Sequence, residues 1–331
     1  MPSRKFRVHI ENLRARPAIY HVTPERWATA CARHRRIARR VEASIGWDGA
    51  SFDDALAKAD FLIGIRSRLE RLAERAPRLK WLHVTMAGVD RLLPLDWLPP
   101  GAVLTNNHGA HGVKAEQYMR MVYGLLNSRM AEILSNQRAR RWQQVFSPSI
   151  AGKTALIVGL GDLGQAAARA AKQAGLKAIG VSRSGRKVPG VDAAHRIAAL
   201  DRLLPRADYV VLAVPLTPAT RNLLSRARLD LLRPSAGVIN IARAQVADHE
   251  ALAGKLRRGE LAGAVIDVVE PEPLPPESPL WDTPNLIVTP HVSCDDAEHY
   301  VDISLDLWFA NFERFLKGKP LRNRVNPDRG Y

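Results

Sequence analysis

Between residues 155 and 291, short apolar runs recur with helical stretches between them: ALIVGLG, KAIGVS, YVVLAVP, GVINIA, GAVIDV and LIVTPH. Each is β-branched and apolar at consecutive rather than alternate positions, the pattern of strands covered on both faces. Such strands, separated by helices, call for a parallel sheet with crossover helices, an α/β fold. With 331 residues the chain exceeds the roughly 250–300 that one core organises, so two domains are expected.

The first hundred residues repeat the rhythm more weakly. RVHI, DFLIGI, WLHVTMAG and AVLTNN read as strands, with amphipathic stretches at 24–40 and 68–76. Residues 111–146 read as one long helix or a bent pair, with Trp142 near its end, until Pro148 turns the chain. EPEPLPPESP (270–279) is a stiff loop that a helix cannot use, and a last amphipathic helix is expected over roughly 297–317.

The run VGLGDLG closes the first strand of the 155–291 series and opens an Ala-rich helix. Gly159 permits a tight turn, Gly161 lets backbone approach a pyrophosphate, and Gly164 allows close helix-to-strand packing, with Asp162 and Leu163 between them. The N–H groups at the start of that helix would hold the anion. A strand before, a helix after and a second strand at the right distance make this a dinucleotide site. At the end of that second strand, where a carboxylate would bind both ribose hydroxyls, the chain has Ser182, Arg183, Ser184 and Arg186. A guanidinium fork pairs with a 2′-phosphate and hydroxyls donate to its remaining oxygens, so NADP(H) is the expected cofactor, with NAD(H) possible.

The formal net charge of +16 would attract anions, from small carboxylates to nucleic acid. RHRRIARR (33–40) and RARR (138–141) are dense, but apolar spacing persists through both and no nucleic-acid motif accompanies them, so solvated helix faces are expected. Cys31 and Cys294 stand far apart outside any C-x-x-C pattern, and His108 with His111 lacks nearby ligands, so neither a disulfide nor a metal site is expected. No apolar run is long enough for a membrane span, and MPSRKFRVHIEN lacks a signal peptide's apolar region, which leads to the expectation of a soluble, cytoplasmic protein.

GVINIARAQVADHEALAGKLRRGELAGAVIDVVEPEPLP followed by PNLIVTPHVS, with AVPLTPATRNLL and MAGVD in the right order, resembles the D-isomer-specific 2-hydroxyacid dehydrogenase family over nearly the whole chain. The resemblance implies two doubly wound parallel-sheet domains. A Rossmann nucleotide-binding domain (105–293) is inserted into a smaller flavodoxin-like substrate domain (1–104 and 294–331), and subunits commonly pair as homodimers through the nucleotide domain. It assigns Arg243 to substrate binding, Glu272 to orienting the donor and His291 to proton donation. Ala87, Gly88 and Val89 would hold a substrate carboxylate through backbone N–H groups, and Asp267 would sit near the nicotinamide. Pro215 and Thr220 fall to the cofactor site.

The residue types suit reduction of a 2-oxo acid, in which a proton must reach oxygen as hydride reaches carbon. Histidine titrates near working pH, a Glu on its far nitrogen favours imidazolium, and arginine stays cationic. Glu272 stands where formate dehydrogenases of this superfamily use an amide, which favours a 2-oxo acid reductase similar to glyoxylate/hydroxypyruvate reductases. Two alternatives remain: a nucleotide-sensing, corepressor-like binding protein, and a relative acting on a bulkier 2-hydroxy acid. Ala244 stands where the family most often has Gly, so either no positive φ is needed there or the turn is altered. Cys294 is expected to be a buried small hydrophobe rather than a reactive thiol.

Overall fold

The computed structural model describes residues 5–64, 69, 71–327, 329 and 330. The chain divides into two compact units, Met1–Ala110 with Asp296–Tyr331, and His111–Asp295. Each is a parallel-sheet α/β domain.

The first unit contains β1 (Phe6–Asn12), β2 (Val41–Trp47), β3 (Phe61–Gly64), β4 (Trp81–His83) and β5 (Val103–Thr105). All pairs are parallel and the spatial order is β2-β1-β3-β4-β5, the flavodoxin-like winding. The DFLIGI run forms β3 up to Gly64, and its Ile65 lies outside the described residues. The 68–76 stretch forms a helix over Leu72–Arg75, with Arg68 and Glu70 outside the described residues. β2 was not among the runs singled out in the sequence. It is the edge strand, and its VEASIGW alternates buried and exposed positions because only β1 flanks it.

One face of this sheet packs on the Tyr300–Leu316 helix. There Trp308 stacks on Trp81 with ring centroids 5.2 Å apart and an interplanar angle of 7°, and Phe61, Phe309 and Phe312 close around them. Removing a buried Trp of this kind costs about 3–5 kcal/mol. The same helix receives the basic segment 33–40: Arg33 Nη1 lies 3.0 Å from Asp302, His34 Nε2 lies 2.7 Å from Asp306, and Arg36 pairs with Glu313. Residues 105–110 belong with this unit. Thr105 ends β5, and Asn106 and Asn107 donate backbone N–H groups to Asn323 O and Met86 O.

The second unit carries β6 (Thr154–Val158), β7 (Lys177–Ser182), β8 (Ala193–Arg196), β9 (Tyr209–Leu212), β10 (Gly237–Asn240), β11 (Gly263–Ile266) and β12 (Leu286–Val288). All are parallel, in the order β12-β11-β10-β9-β6-β7-β8. Every residue of β9, β10 and β11 is buried, as continuous apolar runs require. The winding reverses between β6 and β9, and in such sheets ligands bind beyond the strand carboxyl ends at that point.

Of the two expectations for 111–146, the bent pair is found, as helices Gly112–Asn127 and Met130–Arg138 broken at Arg129 with φ +53°. Helix does not extend to Trp142. Arg140 is left-handed with φ +53°, and residues 141–149 run without regular structure, with Trp142 fully exposed and Phe146 78% exposed. Among the described residues no apolar surface covers those rings, so nothing there stabilises a helical register. Among the described residues no helix is long and apolar enough to cross a membrane.

Candidate active site

The glycine loop lies at the β6 carboxyl end. Gly159 has φ +101°, and a Cβ there would fall 2.3 Å from Ala213 O. A Cβ on Gly164 would fall 1.8 Å from Gly159 O, so the Asp162–Gln173 helix can approach the strand only with glycine at this position. Gly161 differs, since a Cβ there would meet no protein atom within 4 Å. Two glycines are thus needed for packing, and the third fronts open space, where a pyrophosphate would approach the helix N-terminus. Leu163 packs on the core, and Asp162 opens the helix in its first turn. Thr220 closes the turn after β9, its hydroxyl donating to Pro215 O at 2.6 Å.

At the end of β7, Ser182 to Arg186 form a tight, largely exposed turn with Gly185 at φ +67°. Ser182 Oγ accepts from Gly185 N at 3.1 Å and Ser184 Oγ accepts from Arg186 N at 3.2 Å. The two hydroxyls also lie 3.5 Å from each other, so one proton can be shared within the turn while the other is left to be donated outward. Arg183 and Arg186 are exposed on the same turn. The donor set fits an adenosine 2′-phosphate.

Glu272 and His291 are brought together. His291 Nδ1 lies 3.2 Å from each Glu272 carboxylate oxygen, which fixes Nδ1 as the protonated nitrogen facing the acid and leaves Nε2 on the other side of the ring. His291 is left-handed, φ +56°, an uncommon conformation for a residue bearing a Cβ. Asp267, beyond β11 and only 1% exposed, supports it. Its Oδ1 accepts from Val292 N at 2.9 Å and from the Thr289 hydroxyl at 2.6 Å, and its Oδ2 accepts from Ser293 N at 3.0 Å. Consecutive N–H groups following a left-handed residue form an anion-holding concavity, and Asp267 fills it.

Arg243 is half-buried beyond β10 in extended backbone, φ −143°. Buried Asn240 shapes its turn, accepting from Ala242 N at 3.0 Å and donating to Arg243 O at 3.0 Å. The Asn240 amide also lies 3.1 Å from His249 Nε2, which must accept and is therefore unprotonated. Burial lowers the His249 pKa to about 4, in agreement. Ala244 opens a 3-10 turn through Val246 without a positive φ, so this turn needs no glycine.

In the first unit, three consecutive carbonyls of the Thr85–Ala87 loop are held. The Tyr300 hydroxyl donates to Thr85 O, Asn107 N to Met86 O at 2.9 Å, and Asn106 Nδ2 to Ala87 O at 2.8 Å. In a trans peptide C=O and N–H point oppositely, so the N–H groups of Met86, Ala87 and Gly88 each point away from the donor that holds the adjoining carbonyl. Val89 is buried and precedes a 3-10 turn, its carbonyl accepting from Leu92 N.

His111, Cys294 and Asp295 are the one group of potential metal ligands among the described residues, with ligand atoms within 4.8 Å. His111 Nδ1 lies 3.3 Å from Cys294 O and 3.5 Å from Asp295. Burial, with Asp295 adding to it, pushes the Cys294 thiol up to about 12, so it is a neutral thiol. A ring nitrogen donating to a carbonyl beside a neutral thiol is a hydrogen-bonded cluster.

Sequence reading did not single out Asn106, Asn107, Tyr118, Asn240, Thr289 or Tyr300. Asn240 alone carried a signal, a polar residue ending an otherwise apolar strand.

Residues 121–293 match the model of the D-isomer-specific 2-hydroxyacid dehydrogenase NAD-binding domain, and the chain belongs to this family of NAD(P)-dependent dehydrogenases and reductases. A glyoxylate reductase of Thermococcus onnurineus is 34% identical over 66% of this chain and 68% of its own. The NADPH-dependent glyoxylate/hydroxypyruvate reductase of Sinorhizobium meliloti, solved with NADP and sulfate, is 31% identical with a TM-score of 0.82, covering 99% of this chain and 100% of that one. A D-isomer-specific 2-hydroxyacid dehydrogenase of Xanthobacter autotrophicus Py2, solved with NADPH and MES, is 29% identical with a TM-score of 0.83 over 99% and 100% of the chains.

Proposed function

We propose that this protein is an NADPH-preferring reductase of small 2-oxo acids of the glyoxylate and hydroxypyruvate class, giving the D-2-hydroxy acid. The observation that carries the reading is the Glu272–His291 pair, with Nδ1 held by the acid and Nε2 left to face a substrate oxygen. Bound nicotinamide supplies the hydride. His291 gives its Nε2 proton to the carbonyl oxygen, and the neutral ring left behind keeps its proton on Nδ1, donated to the Glu272 carboxylate. The Arg243 guanidinium pairs with the substrate carboxylate or polarises its carbonyl while staying charged. Ala87, Gly88 and Val89 offer backbone N–H groups suited to a carboxylate.

NADPH preference is supported by the Ser182–Arg186 turn, with its hydroxyls and two arginines, and by the relatives solved with NADP and NADPH. The ion pairing of Arg33 and Arg36 with the Tyr300–Leu316 helix, and the His34 contact with Asp306, support an enzyme over a nucleic-acid-binding protein. Homodimer formation is part of the proposal: the exposed Trp142 and Phe146 form an apolar arm suited to a second copy.

The test is the initial rate of cofactor oxidation, NADPH beside NADH, with glyoxylate and hydroxypyruvate. A clear NADPH advantage is expected. An NADH advantage overturns the cofactor assignment, and no turnover with either substrate overturns the substrate class.

A further inference from the structure

The grip on His291 extends beyond Asp267. Thr289 donates its single hydroxyl proton to Asp267 Oδ1 at 2.6 Å, so the Tyr118 hydroxyl, 2.7 Å from Thr289 Oγ1, must donate to it. Tyr118 lies on the buried side of the Gly112–Asn127 helix, and burial raises its pKa, keeping it a proton-bearing donor. The chain of bonds therefore runs from a core helix through Tyr118 and Thr289 to Asp267, and from Asp267 to the N–H groups of Val292 and Ser293.

We propose that Tyr118 and Thr289 are positioning residues for the His291 donor, an inference that rests on the reductase reading above. Thr289 and the Val292–Ser293 pair hold the carboxylate from opposite sides of His291 in sequence. Fixing both flanks to one buried anion leaves the intervening residue little backbone freedom, and the left-handed φ of His291 is the conformation that satisfies all three donors. Tyr118 orders the Thr289 hydroxyl. Because that hydroxyl has one proton, a donor on its lone pairs directs the proton to Asp267. Neither side chain touches a reacting atom, so both act by holding the imidazole where its proton is useful.

The test uses Thr289→Val, Thr289→Ser and Tyr118→Phe in the full chain, measuring kcat with glyoxylate and NADPH, the NADPH Kd, and amide hydrogen exchange at Val292 and Ser293. Thr289→Val is expected to lower kcat about tenfold with the NADPH Kd unchanged, and Thr289→Ser to return kcat to within about twofold. Tyr118→Phe should fall between them, and exchange at Val292 and Ser293 should quicken in Thr289→Val and Tyr118→Phe. A wild-type kcat in Thr289→Val, failure of Thr289→Ser to rescue, or unchanged exchange overturns the proposal. Should the wild-type protein bind NADPH yet reduce no 2-oxo acid, the reductase reading fails, while exchange still decides whether the relay holds this loop.

Discussion

Nδ1 of His291 lies equidistant, at 3.2 Å, from the two carboxylate oxygens of Glu272. That contact commits one ring nitrogen to the acid and makes Nε2 the one that can serve a substrate. His291→Gln keeps a polar group but has no transferable proton, and should lower kcat by about a thousandfold with NADPH affinity intact. Glu272→Gln keeps a hydrogen bond to the ring but loses the carboxylate that orients the proton donor, and should cost about a hundredfold. Single-turnover rates beside cofactor titrations measure both, and a His291→Gln enzyme of undiminished kcat assigns the proton to another group.

The Ser182–Arg186 turn makes a prediction about cofactor choice. Arg183→Ala removes a charge-assisted partner for a 2′-phosphate, so kcat/KM with NADPH should fall about tenfold to a hundredfold. The value with NADH should move less than about twofold. Equal losses with both cofactors would mean that the turn itself had been damaged.

Buried histidines set the acid limb of stability. Burial lowers His83 and His249 to about 4. Free histidine titrates near 6.5, so between about 6.5 and 4 the unfolded chain binds protons that the native chain refuses, and stability rises with pH. The contribution is fully present above about 6.5 and is lost as pH falls toward 4, at up to about 1.4 kcal/mol per pH unit for each residue. Thermal midpoints of His83→Asn and His249→Gln should each depend less steeply on pH over this interval. Slopes equal to that of the wild type would contradict the burial argument.

The apolar arm makes a prediction about assembly. Replacing Trp142 and Phe146 together with Ser should convert a dimer to a monomer in light scattering, without loss of secondary structure, because neither ring is buried within the chain. A wild-type monomer, or a dimer that survives the double substitution, would place the interface elsewhere.

How far the sequence could be read depended on which neighbours a residue had. The central strands β9, β10 and β11 are flanked on both sides and sit inside the sheet, so their continuous apolar runs were unmistakable. β2 and β8 went unseen because VEASIGW and AAHR carry the polar and small residues that an edge allows, whereas the other edge strands, β5 and β12, keep apolar runs. The glycine loop stood out through motif spacing, and Arg243, Glu272 and His291 through the family resemblance. Their supports did not: a buried Tyr118 on an amphipathic helix reads as core, and Thr289 reads as one more strand residue. Their meaning lies in contacts across 171 and 22 positions of chain. The end of the second helix at Arg138 was hidden for a related reason, since Trp142 and Phe146 keep apolar spacing with nothing of their own unit beneath them.

The stacking of Trp308 on Trp81 also bears on the order in which the protein is made. Trp81 leaves the ribosome early, yet the helix that covers it is residues 300–316, translated after the whole of the second unit. At typical synthesis speeds of about 5–20 residues per second, the His111–Asp295 unit has all its strands available for folding before that helix emerges. The domain whose translation starts first is therefore the last to be completed, and until then its aromatic sheet face is exposed to whatever chaperones attend the nascent chain.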